Sequence, residues 1–121
     1  MKIIDMRIEC YRWPKKVPQS NGKHTYTHDG RNFVFIDTDE GITGVGLVGG
    51  THSSDEIIKS IFDYYKDFVV GKDPFDNEKI WDELWEPKIT GRRGITTRVI
   101  SGIDIALWDI KGKALGIPLY K

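Results

Sequence analysis

Apolar residues in this chain recur every second position near the N-terminus and every third or fourth position from about residue 53 onward, and the change of period happens once. Between Ile4 and Cys10 the even positions Ile4, Met6, Ile8 and Cys10 are apolar, while Asp5, Arg7 and Glu9 are charged. Successive strand side chains point to opposite faces, so this pattern builds a strand with one buried and one wet side. Strands first and helices afterwards predict an α+β domain.

The first strand is expected to end at Trp13-Pro14. From there to Arg31 the chain carries Pro18, Gly22, Gly30 and many polar residues with no sustained apolar period, so residues 14–31 read as one long loop. Loops of that length inside a compact domain often act as lids or binding segments. Residues 32–38, rich in Phe, Val and Ile, give a second strand, and Asp39-Glu40-Gly41 gives a tight turn in which Gly41 supplies a positive φ. With a third strand over residues 42–48, the predicted sheet is a three-stranded antiparallel meander.

Beyond Gly49-Gly50-Thr51-His52, Ser53 and Glu56 have the spacing of a capping box and open a helix. Its expected apolar face is Ile57, Ile61, Tyr65 and Phe68, alongside Ile58 and Val69, and Val70-Gly71 ends it. A shorter helix follows Asp73-Pro74, burying Ile80, Trp81, Leu84 and Trp85, presenting Glu78, Asp82, Glu83 and Glu86 to water, and stopping before Pro87. The last helix runs from about Ile95 to Leu115 on a stripe of Val99, Ile103, Ala106, Leu107, Ile110 and Ala114. Gly116 stands where a C-terminal cap belongs, and Pro118 prevents continuation.

Composition excludes several classes of partner. Eighteen Lys plus Arg balance 18 Asp plus Glu and the pI is near 6.8, which removes the global attraction expected for nucleic acid or an anionic membrane surface. The longest run without a charged residue, residues 42–54, is too short and Gly-rich to span a bilayer. Charges at Lys2, Asp5, Arg7 and Glu9 are incompatible with the apolar segment of a secretory signal. Cys10, the only cysteine, precludes an internal disulfide and is expected to be an inert core thiol in a reducing cytoplasm.

Gly44-Val45-Gly46-Leu47-Val48-Gly49 matches a dinucleotide-binding string, but that string works only where a parallel strand turns into a helix within a βαβ unit. Here the glycines fall inside a hairpin strand, so no such cofactor is expected. All three histidines, His24, His28 and His52, lie in two segments that a meander brings to the same end of its sheet. They are read as converging hydrogen-bonding groups, with solvated surface residues as the alternative. No metal is assigned to them, because a three-His site needs rigid supports and a carboxylate behind the ligands, and only Asp29 is near in sequence.

Arg92-Arg93, between Gly91 and Gly94, offers a guanidinium pair for a carboxylate or phosphate, or is simply solvated. Asp104 and Asp109 interrupt an apolar helix and are expected to make structural hydrogen bonds to backbone or Trp side chains. No nucleophile elbow, P-loop or set of three metal-binding carboxylates is present in the sequence, so a stand-alone enzyme is hard to defend.

The order of elements, the segment Thr38-Asp39-Glu40-Gly41-Ile42-Thr43-Gly44-Val45-Gly46, the tetrad Gly71-Lys72-Asp73-Pro74, and the run from Ser101 to Tyr120 with its Gly-x-Pro-x-Tyr ending resemble one family. It is the N-terminal capping domain of the enolase superfamily, mandelate racemase/muconate lactonizing enzyme type. Leu47 departs from the pattern, standing where many relatives have Glu. The resemblance implies a domain, residues 1–121, that caps a C-terminal (β/α)8 barrel not contained in this sequence. It further implies proton abstraction α to a carboxylate, with the enediolate held on Mg²⁺ by the barrel, as in enolase-superfamily sites. It implies a homo-oligomer and a small carboxylate substrate, with an acid-sugar dehydratase or racemase as the activity. By the same resemblance, residues 14–31 and 49–53 form the lid, and His24, Tyr26, His28, Thr51 and His52 face the substrate. The chain by itself is then expected to be inactive, its end at Lys121 being a domain boundary or truncation. The alternative is a non-catalytic folding or oligomerisation domain.

Overall fold

The computed structural model describes residues 1–49, 55–85 and 94–121. Three strands, β1 (Ile3–Asn21), β2 (His24–Thr38) and β3 (Thr43–Val48), form one antiparallel sheet in the order β1-β2-β3. Helices α1 (Asp55–Val69), α2 (Asn77–Trp85, entered through a 3-10 turn at Pro74–Asp76) and α3 (Ile95–Leu115) follow. The expected α+β meander with a helical layer is therefore the architecture found.

Side-chain parity sets the core. Met6, Ile8 and Cys10 on β1 pair across the sheet with Ile36, Val34 and Asn32 on β2, which pair in turn with Gly44, Gly46 and Val48 on β3. These even-numbered residues face the helices, where Val34, Ile36, Val48, Ile58, Phe62, Ile103, Ala106 and Ile110 are all buried. The N-terminal end departs from this parity. A bulge between Ile3 and Asp5 turns Ile3 inward at 1% exposure and leaves Ile4 outward at 55%, reversing the expectation for Ile4.

Gly44 and Gly46 are what bring α3 against β3. A Cβ on Gly46 would lie 1.9 Å from the Gly102 carbonyl oxygen, and one on Gly44 would lie 2.1 Å from that of Ala106. The first two glycines of the dinucleotide-like string thus serve helix-to-strand packing. Along the outer edge of β3, Asp109 accepts from the Val45 amide at 2.9 Å while Lys113 donates to the Thr43 carbonyl at 2.7 Å. These α3 side chains satisfy backbone groups on the sheet's edge. The structural role expected for Asp109 is the one it has.

The loop expected over residues 14–31 is not a loop. β1 continues through Trp13-Pro14 to Asn21, turns at Gly22-Lys23, and pairs back along β2 from His24, so a long two-stranded hairpin projects beyond the helical layer. Pro14 and Pro18 are tolerated because β1 is an edge strand, and the register slips between the pairs Pro14↔His28 and Gln19↔Tyr26. Polar pairs replace apolar ones along this ribbon: Lys15 to Asp29 at 2.7 Å, Ser20 to Thr25 at 3.1 Å, and Asn21 to the Tyr26 hydroxyl at 3.3 Å. The absence of an apolar period therefore signalled exposure on both faces rather than irregular backbone.

Helix α1 buries Ile58, Phe62, Tyr65 and Val69, while Ile57, at 54% exposure, faces water. Its buried stripe is thus rotated from the expected Ile57-Ile61-Tyr65-Phe68 face. In α2, Ile80 and Leu84 are buried and the two Trp residues half-buried, stacked on each other at 5.8 Å. Helix α3 spans the expected residues and ends at Gly116 in the left-handed region (φ 65°), although Ala114 is exposed rather than in the stripe. Gly41 likewise has a positive φ, 77°, in the turn where it was expected. Ser53, Glu86 and Pro87, offered as helix boundary residues or as part of a wet face, lie outside the described residues.

Candidate substrate-facing site

The hairpin carries the core face of the sheet past the helices. By position along β2, His28, Tyr26 and His24 fall in line with Ile36, Val34, Asn32 and Gly30, across the register slip between the pairs Pro14↔His28 and Gln19↔Tyr26. Here His24 and His28 are exposed and Tyr26 is half-buried, and an open concavity of about 560 Å³ is lined by Arg12, Lys23, His24, Thr25, Tyr26, Thr27 and His28. The rings of His24 and Tyr26 stand 6.4 Å apart, and Thr27 Oγ1 lies 2.9 Å from His28 Nδ1. Two imidazoles and a phenol on one strand face offer both donors and acceptors, a set suited to a polyhydroxylated ligand.

Arg12 was missed in the sequence, although its even number placed it in line with Met6, Ile8 and Cys10. It stands opposite Gly30 at the base of the hairpin, and its guanidinium forks onto Asp55, the first residue of α1, with both N–O distances 2.8 Å. That hydrogen-bonded pair holds the Asp55 carboxyl below the usual carboxylate range. Cys10, one inward position earlier, is a half-buried free thiol whose titration burial pushes up.

The other end of the helical layer has a different chemistry. Asp104 on α3 is half-buried, and burial raises its carboxyl above the ordinary value despite a hydrogen bond with Asn77. Lys111 hydrogen-bonds the same Asn77 side chain and stands over Trp108 at 4.8 Å. These contacts knit α2 to α3.

Of the candidate residues, His24, Tyr26 and His28 share one face of the hairpin. Thr51, His52, Arg92 and Arg93 lie outside the described residues. A second concavity of about 550 Å³ includes Leu47, Trp85, Gly94 and Arg98. Among the described residues no three His, Cys, Asp or Glu side chains converge as a metal ion requires, so no step is assigned to Mg²⁺ on them. No helix among the described residues is long and apolar enough to cross a membrane.

Residues 3–121 match the model for the mandelate racemase / muconate lactonizing enzyme N-terminal domain. The chain belongs to this family, within the enolase superfamily. Over 92 residues, 74% of its length, this mandelate racemase/muconate lactonizing enzyme-type domain is 41% identical to a D-galactonate dehydratase of Xanthomonas axonopodis pv. citri, of which it covers 23%. Its fold matches the L-talarate/galactarate dehydratase of Salmonella typhimurium LT2 with a TM-score of 0.85 and 30% identity, covering 98% of this chain and 32% of that one. The L-talarate dehydratase of Polaromonas sp. JS666, solved with Mg and L-glucarate, also gives a TM-score of 0.85, at 29% identity, covering 98% of this chain and 34% of that one. The chain therefore spans about a quarter to a third of these relatives.

Proposed function

We propose that this chain is the lid-bearing N-terminal domain of an acid-sugar dehydratase, in which His24, Tyr26, His28, Thr51 and His52 contact the hydroxyl groups of a sugar-acid substrate. The observation that carries this reading is the hairpin: a ribbon, with no helix among the described residues over its inward face, that holds His24, Tyr26 and His28 around one concavity. Its support from relatives is that those resembling the chain include dehydratases named for galactonate and talarate. Dehydration rather than racemisation is favoured by these polar side chains, which suit a substrate rich in hydroxyls.

In this proposal the chemistry, proton abstraction α to the carboxylate with an enediolate stabilised by Mg²⁺, belongs to a C-terminal barrel. The domain's own residues select the substrate and exclude water from the reacting centre when the lid is closed. Arg92 and Arg93 are assigned to the substrate's carboxylate or to an anion near it. The enzyme is expected to be a cytoplasmic homo-oligomer.

Kinetics of the complete enzyme test the reading. His24→Ala and His52→Ala are each expected to lower kcat/KM on the preferred sugar acid by about tenfold, the worth of one hydrogen bond, and to change the ranking among galactonate, talarate and related acids. Unchanged kinetics across that panel would overturn it.

A further inference from the structure

The sheet has two faces, and the described helices cover only the one that carries the even-numbered residues. On the other face the register sets odd-numbered side chains in rows across the strands. Asp37 stands beside Thr43; next come Arg7, Phe35 and Val45, then Glu9, Phe33 and Leu47, then Tyr11 and Arg31. Directly opposed residues of an antiparallel pair point to the same side, so each row is a line of neighbours. Phe33, Phe35 and Val45 are half-buried and Leu47 is 38% exposed, which makes an apolar strip along β2 and β3 bordered by charges on β1. A sheet face meant only for water carries polar residues at these positions.

The strip is already ordered. Arg7 lies over the Phe35 ring at 4.6 Å while pairing with Asp37, and Tyr11 meets Phe33 edge-on at 6.0 Å while hydrogen-bonding Glu9. Little side-chain freedom is left to lose when this face is covered. Extension of the sheet at its edges is hindered, because Asp109 and Lys113 occupy the Val45 amide and the Thr43 carbonyl on β3, and Pro14 and Pro18 lack donors on β1. Stacking face to face is the mode that stays open.

The order of charges selects what stacks there. Along the strands the signs alternate through Asp37, Arg7, Glu9 and Arg31. A two-fold axis lying across the strands, between the Phe35 and Phe33 rows, turns this order onto its own complement. Arg7 then faces the partner's Glu9 and Asp37 faces the partner's Arg31, while Phe35 covers the partner's Phe33 and Val45 covers the partner's Leu47. An axis through either adjacent row apposes like charges, Arg7 on the partner's Arg7 or Glu9 on the partner's Glu9. Self-complementarity about one axis is what an isologous interface requires, and a different partner would not need it.

We propose that this outward sheet face joins two copies of the chain about that axis, through the aromatic strip and reciprocal pairs of Arg7 with the partner's Glu9. The proposal rests on reading the enzyme as a homo-oligomer and gives that oligomer a surface and a register.

Mass measurement of the complete enzyme by light scattering tests it. Arg7→Glu and Glu9→Arg each put like charges at both symmetric contacts. Each is expected to weaken pairing about hundredfold and so to halve the mass of the assembly at micromolar concentration. Mixed in equal amounts, the two variants should recover the full mass, because each supplies the charge that the other lacks. Leu47→Glu, at an exposed position, should also halve the mass while leaving thermal unfolding unchanged. If either charge variant fails to fold, Leu47→Glu decides, and full mass in that variant refutes the interface. Folded charge variants of unchanged mass overturn the proposal. So does a halved mass that mixing fails to restore, which would mean that another part of the same chain covers this face. A monomeric wild-type enzyme refutes the homo-oligomer reading itself, whereas a wild-type oligomer indifferent to all three substitutions refutes this interface alone.

Discussion

Strands β1 and β2 pass through two environments without a change of partner. Over residues 6–10 and 32–36 their inward side chains are pressed against α1 and α3, and Val34 and Ile36 are fully buried. Beyond Arg12 and Gly30 no helix among the described residues covers the ribbon, and His28, Tyr26 and His24 take the places of aliphatic residues. One half of the ribbon is held by hydrophobic burial and the other by ladder hydrogen bonds and exposed polar pairs. Stability is concentrated in the first half, leaving the second free to carry polar side chains, which in the proposed function contact the substrate.

The largest difference between the halves should appear on truncating an inward side chain of the covered half. Ile36→Ala is expected to destabilise the domain by about 3–4 kcal/mol, read as a lowered denaturation midpoint with unchanged slope. Next comes the fit of α3 on β3: Gly46→Ala places a methyl against the Gly102 carbonyl and should cost about 2–3 kcal/mol. A loss below about 1 kcal/mol would mean that the helix yields easily and that Gly46 is not what sets the packing.

At the junction the expected effect is smaller and depends on pH. Arg12 lowers the folded-state titration of Asp55 below its ordinary value of 3.8, so the pair's contribution is complete above that value and is lost as pH falls through the lowered one. Arg12→Gln should therefore cost about 1 kcal/mol at neutral pH, in keeping with a partly exposed pair, and flatten the acid limb of the stability profile. Smallest of all, His24→Ala should shift stability by no more than about 0.5 kcal/mol while altering the kinetics of the complete enzyme. A loss of several kcal/mol on that substitution would show that the hairpin tip is structural, and the contrast between the two halves would fall.

Much of this architecture was legible because local physics repeats along the chain. The alternation from Met6 to Cys10, the positive-φ Gly41, the cap of α3 and its stripe from Val99 to Ile110 each stand in the structure as the sequence implied. The hairpin was not legible, since a ribbon wet on both faces has no apolar period, and Pro14 and Pro18 usually argue against a strand. Asn21-Gly22, a turn dipeptide between Ser20 and Thr25, was the signal that could have revealed it. The face of α1 was ambiguous for another reason. Apolar residues at 57, 58, 61, 62, 65, 68 and 69 supply two overlapping stripes, and only neighbouring elements select Ile58, Phe62, Tyr65 and Val69.

Of the candidate site, His24, Tyr26 and His28 could be named from the sequence, whereas Arg12 emerged only from its contact with Asp55. Residue spacing by itself determined the α+β order, the meander and the limits of α3, and the segments 38–46, 71–74 and 101–120 carried the resemblance to the family, because those depend on patterns within short segments. Tertiary structure decided which stripe of α1 is buried, that Gly44 and Gly46 receive a helix, and that Arg12 on β1 and Asp55 on α1 share one ion pair. Each of those outcomes depends on which surfaces meet across the fold, and an amino-acid sequence records contacts only between neighbours along the chain.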